Sequence, residues 1–169
     1  MQVKAPAVHI RPLEGIEVAS LGVVRFGMTM DEVIGVVGQP GSSPSSSLVY
    51  RGPYVWTMVT FGNEQRVCGY IGFTSPRLFP PLLDGVPIAG PTLRAATTTV
   101  AALGYDPDEG AAVDLRIGAL GRVDSGYDSV DFPRLGLQLW SSMNTETDED
   151  GELGEYVLDS VGLNPTELW

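Results

Sequence analysis

The residue types and spacings in this sequence match few known catalytic arrangements. His9 is the only histidine and Cys68 the only cysteine, so no Ser-His-Asp, Cys-His or multi-histidine metal arrangement can be assembled from mid-chain residues. Asp128 and Asp131 lie three residues apart in an extended segment, so their carboxylates face opposite sides of the strand. The sequence contains no Gly-x-Ser-x-Gly, P-loop or dinucleotide-binding pattern. We therefore expect a non-catalytic protein without a cofactor; catalysis by carboxylates alone is the alternative that these residues leave open.

An acidic segment near the C-terminus matches part of a calcium-binding loop. Residues 146–157 place acidic side chains at positions 1, 3 and 5 and a glycine at position 6 of that pattern. Position 12, which requires a bidentate glutamate, is Val157, and no flanking helices are expected. We therefore expect no metal site and interpret the segment as an acidic loop.

Aromatic residues in the expected strands are the main candidates for a binding site. Because side chains alternate along a strand, one face collects aliphatic residues and the other collects aromatic and polar ones. The aromatic residues assigned to the second face are Tyr54, Trp56, Tyr70, Tyr127 and Trp140. Acidic residues accompany them at Asp131 and, beside a glycine turn, at Asp124 and Asp128. Tyrosine and tryptophan concentrate binding energy at interfaces, so we predict a protein-binding face; packing between two halves of the chain, or a homodimer contact, are the structural alternatives.

Charge is distributed unevenly along the chain. The formal net charge is -11, and the first 90 residues contribute six acidic and six basic residues, which cancel. From Pro91 onward, the chain contains fifteen acidic residues and only four arginines. A field of this sign repels phosphate, so nucleic acid and anionic membranes are not expected as partners. It would instead steer a basic protein partner towards the binding face.

The first half of the chain carries a helix pattern followed by three strand-like segments. Thr29 and Glu32 form a capping box, so we expect a helix from Met30 to Val37, ended by Gly38 and Pro40. The extended segments that follow are Leu48 to Arg51, Tyr54 to Phe61 and Val67 to Phe73. Short turns between them predict an antiparallel meander.

The second half is expected to repeat this order after a proline-rich connector. A helix is predicted from Leu93 to Leu103. The candidate strands after it are Ala112 to Ile117, Tyr127 to Phe132, Leu135 to Trp140 and Tyr156 to Val161. We therefore expect an α+β fold of two tandem units, in which helices cover one face of an antiparallel meander. The divisions are an N-terminal extension at 1–14, a first unit at 15–75, a connector at 76–90 and a second, acidic unit at 91–169.

The first unit also resembles a known family. Gly27-Met28-Thr29, Val33 and Gly38-Gln39-Pro40 precede a hairpin that ends in Val59-Thr60-Phe61-Gly62. This pattern is similar to the first repeat of secreted β-lactamase inhibitor proteins and of SmpA/OmlA-type lipoproteins of outer-membrane β-barrel assembly, and to related cytosolic immunity proteins. The resemblance implies a small sheet whose open face binds another protein. With one cysteine in mid-strand, the disulfide and the lipid anchor of those families do not carry over.

These observations together predict a protein-binding function. We expect a non-catalytic immunity or inhibitor-type protein that masks a basic partner. We expect a cytosolic location, because no apolar run of about 18 residues and no signal-peptide pattern is present. A self-associating structural domain is one alternative. A small-molecule-binding protein, with its pocket between the two halves, is another.

Overall fold

The computed structural model describes residues 7–51, 55–62, 64–74, 79–88, 93–107, 127–142, 158 and 160–165. In these residues the chain forms eleven strands and two helices. In chain order they are β1 (Val8–Arg11), β2 (Gly15–Val18), β3 (Gly22–Arg25), α1 (Met30–Val37), β4 (Ser47–Arg51), β5 (Val55–Thr60), β6 (Tyr70–Thr74), β7 (Leu82–Leu83), β8 (Val86–Pro87), α2 (Leu93–Ala102), β9 (Tyr127–Phe132), β10 (Leu137–Ser142) and β11 (Ser160–Leu163).

A six-stranded sheet is the largest element of the molecule. Its strand order is β4-β5-β6-β11-β10-β9, and every neighbouring pair is antiparallel. The two central strands, β6 and β11, come from opposite halves of the chain and place Gly72 directly opposite Gly162. The meander of the first half and that of the second half are therefore joined into one sheet.

A second sheet, with five strands, is built from the N-terminal residues and a short hairpin. Its order is β3-β2-β1-β7-β8, in which only β1 and β7 run parallel. Backbone hydrogen bonds tie it to the six-stranded sheet. The Leu13 amide donates to the Leu135 carbonyl over 3.3 Å, and the Gly27 amide donates to the Cys68 carbonyl over 2.9 Å.

One hydrophobic core lies between these layers. Alternate residues of the six-stranded sheet point into it, including Ile71 and Phe73 of β6 and Leu137 and Leu139 of β10. The five-stranded sheet contributes buried residues to the same core at Val8, Ile10, Ile16, Val18 and Val24. The six-stranded sheet therefore has an inner face, which packs on the core, and an outer face on the opposite side.

The two helices are short and complete the core from its sides. In α1, the Thr29 hydroxyl accepts from the Glu32 amide and the Glu32 carboxylate accepts from the Thr29 amide, which confirms the predicted capping box and the helix from Met30 to Val37. This helix contacts β3 and buries Val33. Helix α2 contacts β9 and β10 and buries its apolar residues Leu93, Ala96 and Val100 in the core.

The expected α+β fold of two tandem helix-plus-meander units is wrong. Among the described residues strand predominates over helix, and the strands form two sheets rather than two units that each carry a helix over their own meander. The strand β6 would have an unpaired edge in an isolated first unit, and pairing with β11 satisfies the backbone groups of that edge. In addition, α1 contacts β3 of the other sheet instead of covering β4 to β6.

Several local differences from the expected elements have physical causes. Val8–Arg11, within the expected N-terminal extension, forms a strand because it pairs with both β2 and β7. The strand predicted from Val67 begins only at Tyr70. Val67 instead forms an isolated β-bridge with Thr29, and the backbone amide of Cys68 donates to the Met28 carbonyl. The candidate strand from Ala112 to Ile117, and half of the one from Tyr156 to Val161, lie outside the described residues.

Candidate functional site

The outer face of the six-stranded sheet carries a mixture of aromatic, amide and acidic side chains. The register defines a row that crosses all six strands, in which each residue lies opposite the next: Val49, Met58, Gly72, Gly162, Gln138 and Asp131. The two glycines stand at the centre of this row. The centre of the outer face therefore lacks side chains of its own and can be covered by a neighbouring ring.

Tyr70 occupies that central position. A Cβ added to Gly72 would lie 2.7 Å from Tyr70 Cε1, and one added to Gly162 would lie 2.9 Å from the Tyr70 hydroxyl oxygen. The ring therefore rests directly on the backbone of β6 and β11, with its other surface towards the outside of the sheet. The residue is half-buried, and this burial raises the pKa of the Tyr70 hydroxyl above its ordinary value. At neutral pH the group is a hydrogen-bond donor as well as an acceptor.

Trp140 is the second described aromatic residue of the outer face. It lies opposite Ser160 of β11 and Ser129 of β9, so its direct cross-strand neighbours are small. The side chain is half-buried. Small residues beside a large indole leave part of the ring surface available to a partner.

A groove of about 390 Å³ continues the outer face at the end nearest the β9–β10 turn. Its lining residues are Leu13, Asp131, Phe132, Pro133, Gly136, Leu137, Gln138, Asn164 and Pro165. Asp131 and Gln138 are direct cross-strand partners, which places their side chains next to each other. The volume lies at the lower end of the range for sites that hold a small molecule or a single side chain.

Two residues in left-handed backbone conformations shape the mouth of this groove. Leu13 has a φ of 59° and is 53% exposed, although leucine disfavours this conformation. Gly136 has a φ of 60°, and a Cβ added to it would lie 3.2 Å from Leu13 Cδ2. The apolar side chain of Leu13 is therefore held over the turn, where it forms one wall of the groove.

Asn164 provides an unpaired acceptor at this site. The backbone N–H of Asn164 donates to the Gly136 carbonyl over 2.8 Å, which fixes the residue beside the β9–β10 turn. The side-chain oxygen Oδ1 is buried and has no hydrogen-bond partner among the residues that the structure describes. A buried acceptor without a partner costs free energy, and such groups are rare in folded proteins.

The structure brings three of the predicted site residues together. Tyr70, Trp140 and Asp131 all lie on the outer face, on three strands of one sheet. Trp56 lies in β5 and Tyr127 and Asp128 lie in β9, with side chains outside the described part of the chain. Tyr54 and Asp124 fall outside the described residues altogether.

Three residues of the site were missed by sequence reasoning. Leu13 was assigned to an N-terminal extension, whereas Gln138 and Asn164 are ordinary polar residues without a motif. The pattern Pro133-Arg134-Leu135-Gly136 indicates a hairpin turn after a strand and could have pointed to the groove. Gly72 and Gly162 could have indicated a ring lying on the strands, since glycine inside a strand often marks a close approach.

The only histidine and the only cysteine of the chain lie away from this face. His9 is in β1 opposite Glu17, and Cys68 is buried, with the pKa of its thiol raised to about 12 by that burial. Among the described residues, no three histidine, cysteine, aspartate or glutamate side chains cluster where they could hold a metal ion. Neither of the two described helices has the length and apolar character required to cross a membrane.

Comparison of the chain with protein-family models, with curated proteins and with solved structures finds no match. The assignment of a function therefore rests on the chemistry of the outer face and its groove.

Proposed function

We propose that this protein is a non-catalytic binding module that masks a basic protein partner, in the manner of an immunity or inhibitor protein. The observation that supports this function best is the position of Tyr70 and Trp140, which are partly exposed on the outer face of one continuous sheet. A sheet positions such rings rigidly, so little conformational entropy is lost when a partner covers them.

The charge of the protein favours a basic partner. Among the outer-face side chains that the structure describes, Asp131 is the only charged one, and the whole chain carries a formal net charge of -11. The aromatic rings would contribute the area of contact, while the negative field would raise the rate of association. A single cysteine that is free and buried is compatible with a reducing compartment, and we propose that this activity takes place in the cytosol.

The test is capture of partners from the native lysate by the tagged protein at about 0.05 and 0.5 M salt, concentrations between which exposed charges become screened. We expect a basic protein in stoichiometric amount that is released at the higher salt. Trp140→Ala should abolish its capture without a change in thermal unfolding. The matched control is Leu21→Ala, which removes an apolar side chain that is 48% exposed but belongs to the turn between β2 and β3.

Other results would contradict this function. If Trp140→Ala captures the same partner as the unchanged protein, the outer face is not the binding surface. If only the bait is recovered, and its mass in solution doubles with concentration, the face is a contact between two copies of this chain.

A further inference from the structure

The groove at the end of the outer face has an unusual set of polar groups. Asp131 is its only charged lining residue in the described part of the chain, and Gln138 lies directly beside it. Asn164 adds the buried Oδ1 atom, which has no partner in the described part of the chain. A carboxylate and an orphaned amide oxygen both require hydrogen-bond donors, and an anionic ligand would be repelled by the carboxylate.

The remaining walls of the groove are apolar. Leu13 forms one wall, and Pro133 and Pro165 also line the groove. The hydrogen bond from the Leu13 amide to the Leu135 carbonyl holds Leu13 there despite its strained backbone. Apolar walls suit a ligand whose charged end is carried by a hydrocarbon stem.

We propose that this groove is a subsite for one arginine side chain of the basic partner. The guanidinium group presents five donors in a plane, so it can bind the Asp131 carboxylate while its stem lies along Leu13. Rotation of the half-buried Asn164 side chain would turn its buried oxygen towards the groove, where the same guanidinium group can donate to it. An ammonium group is more strongly hydrated and less able to use two separated acceptors in a partly apolar groove. This inference rests on the proposed function and specifies which chemical group of the partner the site recognises.

The probe for this subsite is N-acetyl-arginine amide, added to the full-length protein and followed by NMR. The neutral isostere N-acetyl-citrulline amide serves as the matched ligand. We expect saturable shifts of the side-chain amides of Asn164 and Gln138 and of the Gly136 backbone amide, with the arginine compound only. A dissociation constant in the millimolar range is typical of so small a ligand.

Three variants test the acceptors individually. Asp131→Asn should weaken binding of the arginine compound about tenfold or more, because it removes a charge-assisted hydrogen bond. Asn164→Asp should strengthen binding, since it places a second negative oxygen at the orphaned position. Asp31→Asn is the matched control: it removes the same charge from the exposed first turn of α1, which does not line the groove, and should leave affinity unchanged.

The results can separate this inference from the proposed function. Equal shifts with the citrulline compound, equal affinity for N-acetyl-lysine amide, or no shifts at the groove would overturn the arginine assignment, even if Trp140→Ala still abolishes partner capture. Saturable arginine binding with weakening by Asp131→Asn supports the subsite, even if no protein partner is recovered.

Discussion

At the scale of single residues, the close contact between Tyr70 and two glycines is the feature most sensitive to change. An added methyl group at Gly162 would lie 2.9 Å from the Tyr70 hydroxyl oxygen, so Gly162→Ala should lift the ring from the sheet. We expect a loss of about 1–2 kcal/mol in the free energy of unfolding, which is typical of overpacking. Urea denaturation measures this value.

The control for this substitution is a background that lacks the ring. In Tyr70→Ala, the same Gly162→Ala change should cost much less, because nothing then occupies the space above the glycine. An equal cost in both backgrounds would show that the penalty arises from the backbone of β11 and not from Tyr70.

Cys68 is the residue whose chemistry depends most on burial. The pKa of its thiol is raised from 9.0 to about 12 because the charged thiolate is disfavoured in the core. At pH 8, a neutral thiol-reactive dye should therefore modify Cys68 about a thousandfold more slowly in the folded protein than in urea. Equal rates under both conditions would mean that the cysteine is accessible in the native state.

The same shift makes stability dependent on pH. The pKa of the Cys68 thiol in the folded state exceeds the unfolded value of 9.0, so the unfolded chain loses this proton first as the pH rises. The free energy of unfolding that comes from burying the neutral thiol is therefore fully present below pH 9 and is lost as the pH rises towards 12. Burial also raises the pKa values of Tyr50 and Tyr70, which adds to the loss at alkaline pH. Unfolding in urea at increasing pH should show this decline, and Cys68→Ala should reduce its slope between pH 9 and 12.

At the scale of elements, the stability of α1 depends on its N-terminal cap. The Glu32 amide donates to the Thr29 hydroxyl over 3.3 Å, and the Thr29 amide donates to the Glu32 carboxylate over 2.8 Å. Thr29→Ala should therefore lower the free energy of unfolding by about 1 kcal/mol.

Gly35 lies inside the same helix, where an added Cβ would meet open space. Gly35→Ala should therefore raise the free energy of unfolding by about 0.5–1 kcal/mol. Thermal unfolding measures both changes; a destabilising Gly35→Ala would contradict the expected helical propensity effect.

The elements also show what sequence can predict in this protein. The capping box and Gly38 are local patterns, and they correctly gave the limits of α1. The pairing of β6 with β11 joins residues nearly 90 positions apart and leaves no local pattern, so two separate units were expected instead of one sheet. The alternation of side chains along single strands was informative for the site, because it predicts that Tyr70 and Trp140 lie on one face without knowledge of how their strands pair. It could not reveal the groove, because Leu13 and Asn164 meet there only through tertiary contacts.

At the scale of the whole molecule, the shared sheet determines how the protein unfolds. The six-stranded sheet takes three strands from each half of the chain, and residues of both sheets belong to one core. Separation of the halves would expose the edges of β6 and β11 and the apolar residues Phe73 and Val161, which lie opposite each other. We therefore expect a single cooperative transition, rather than the two that independent units would give.

Native-state hydrogen exchange can test this cooperativity in detail. Backbone amides of β5 and β6 report on the first half, and those of β10 and β11 report on the second. If the sheet is one cooperative unit, its most protected amides in both halves should exchange with the same opening free energy, equal to that of global unfolding. Clearly different free energies for the two halves would mean that the β6–β11 pairing opens before the rest of the molecule. In that case the outer face, whose central ring rests on both strands, would be assembled only while the halves are joined.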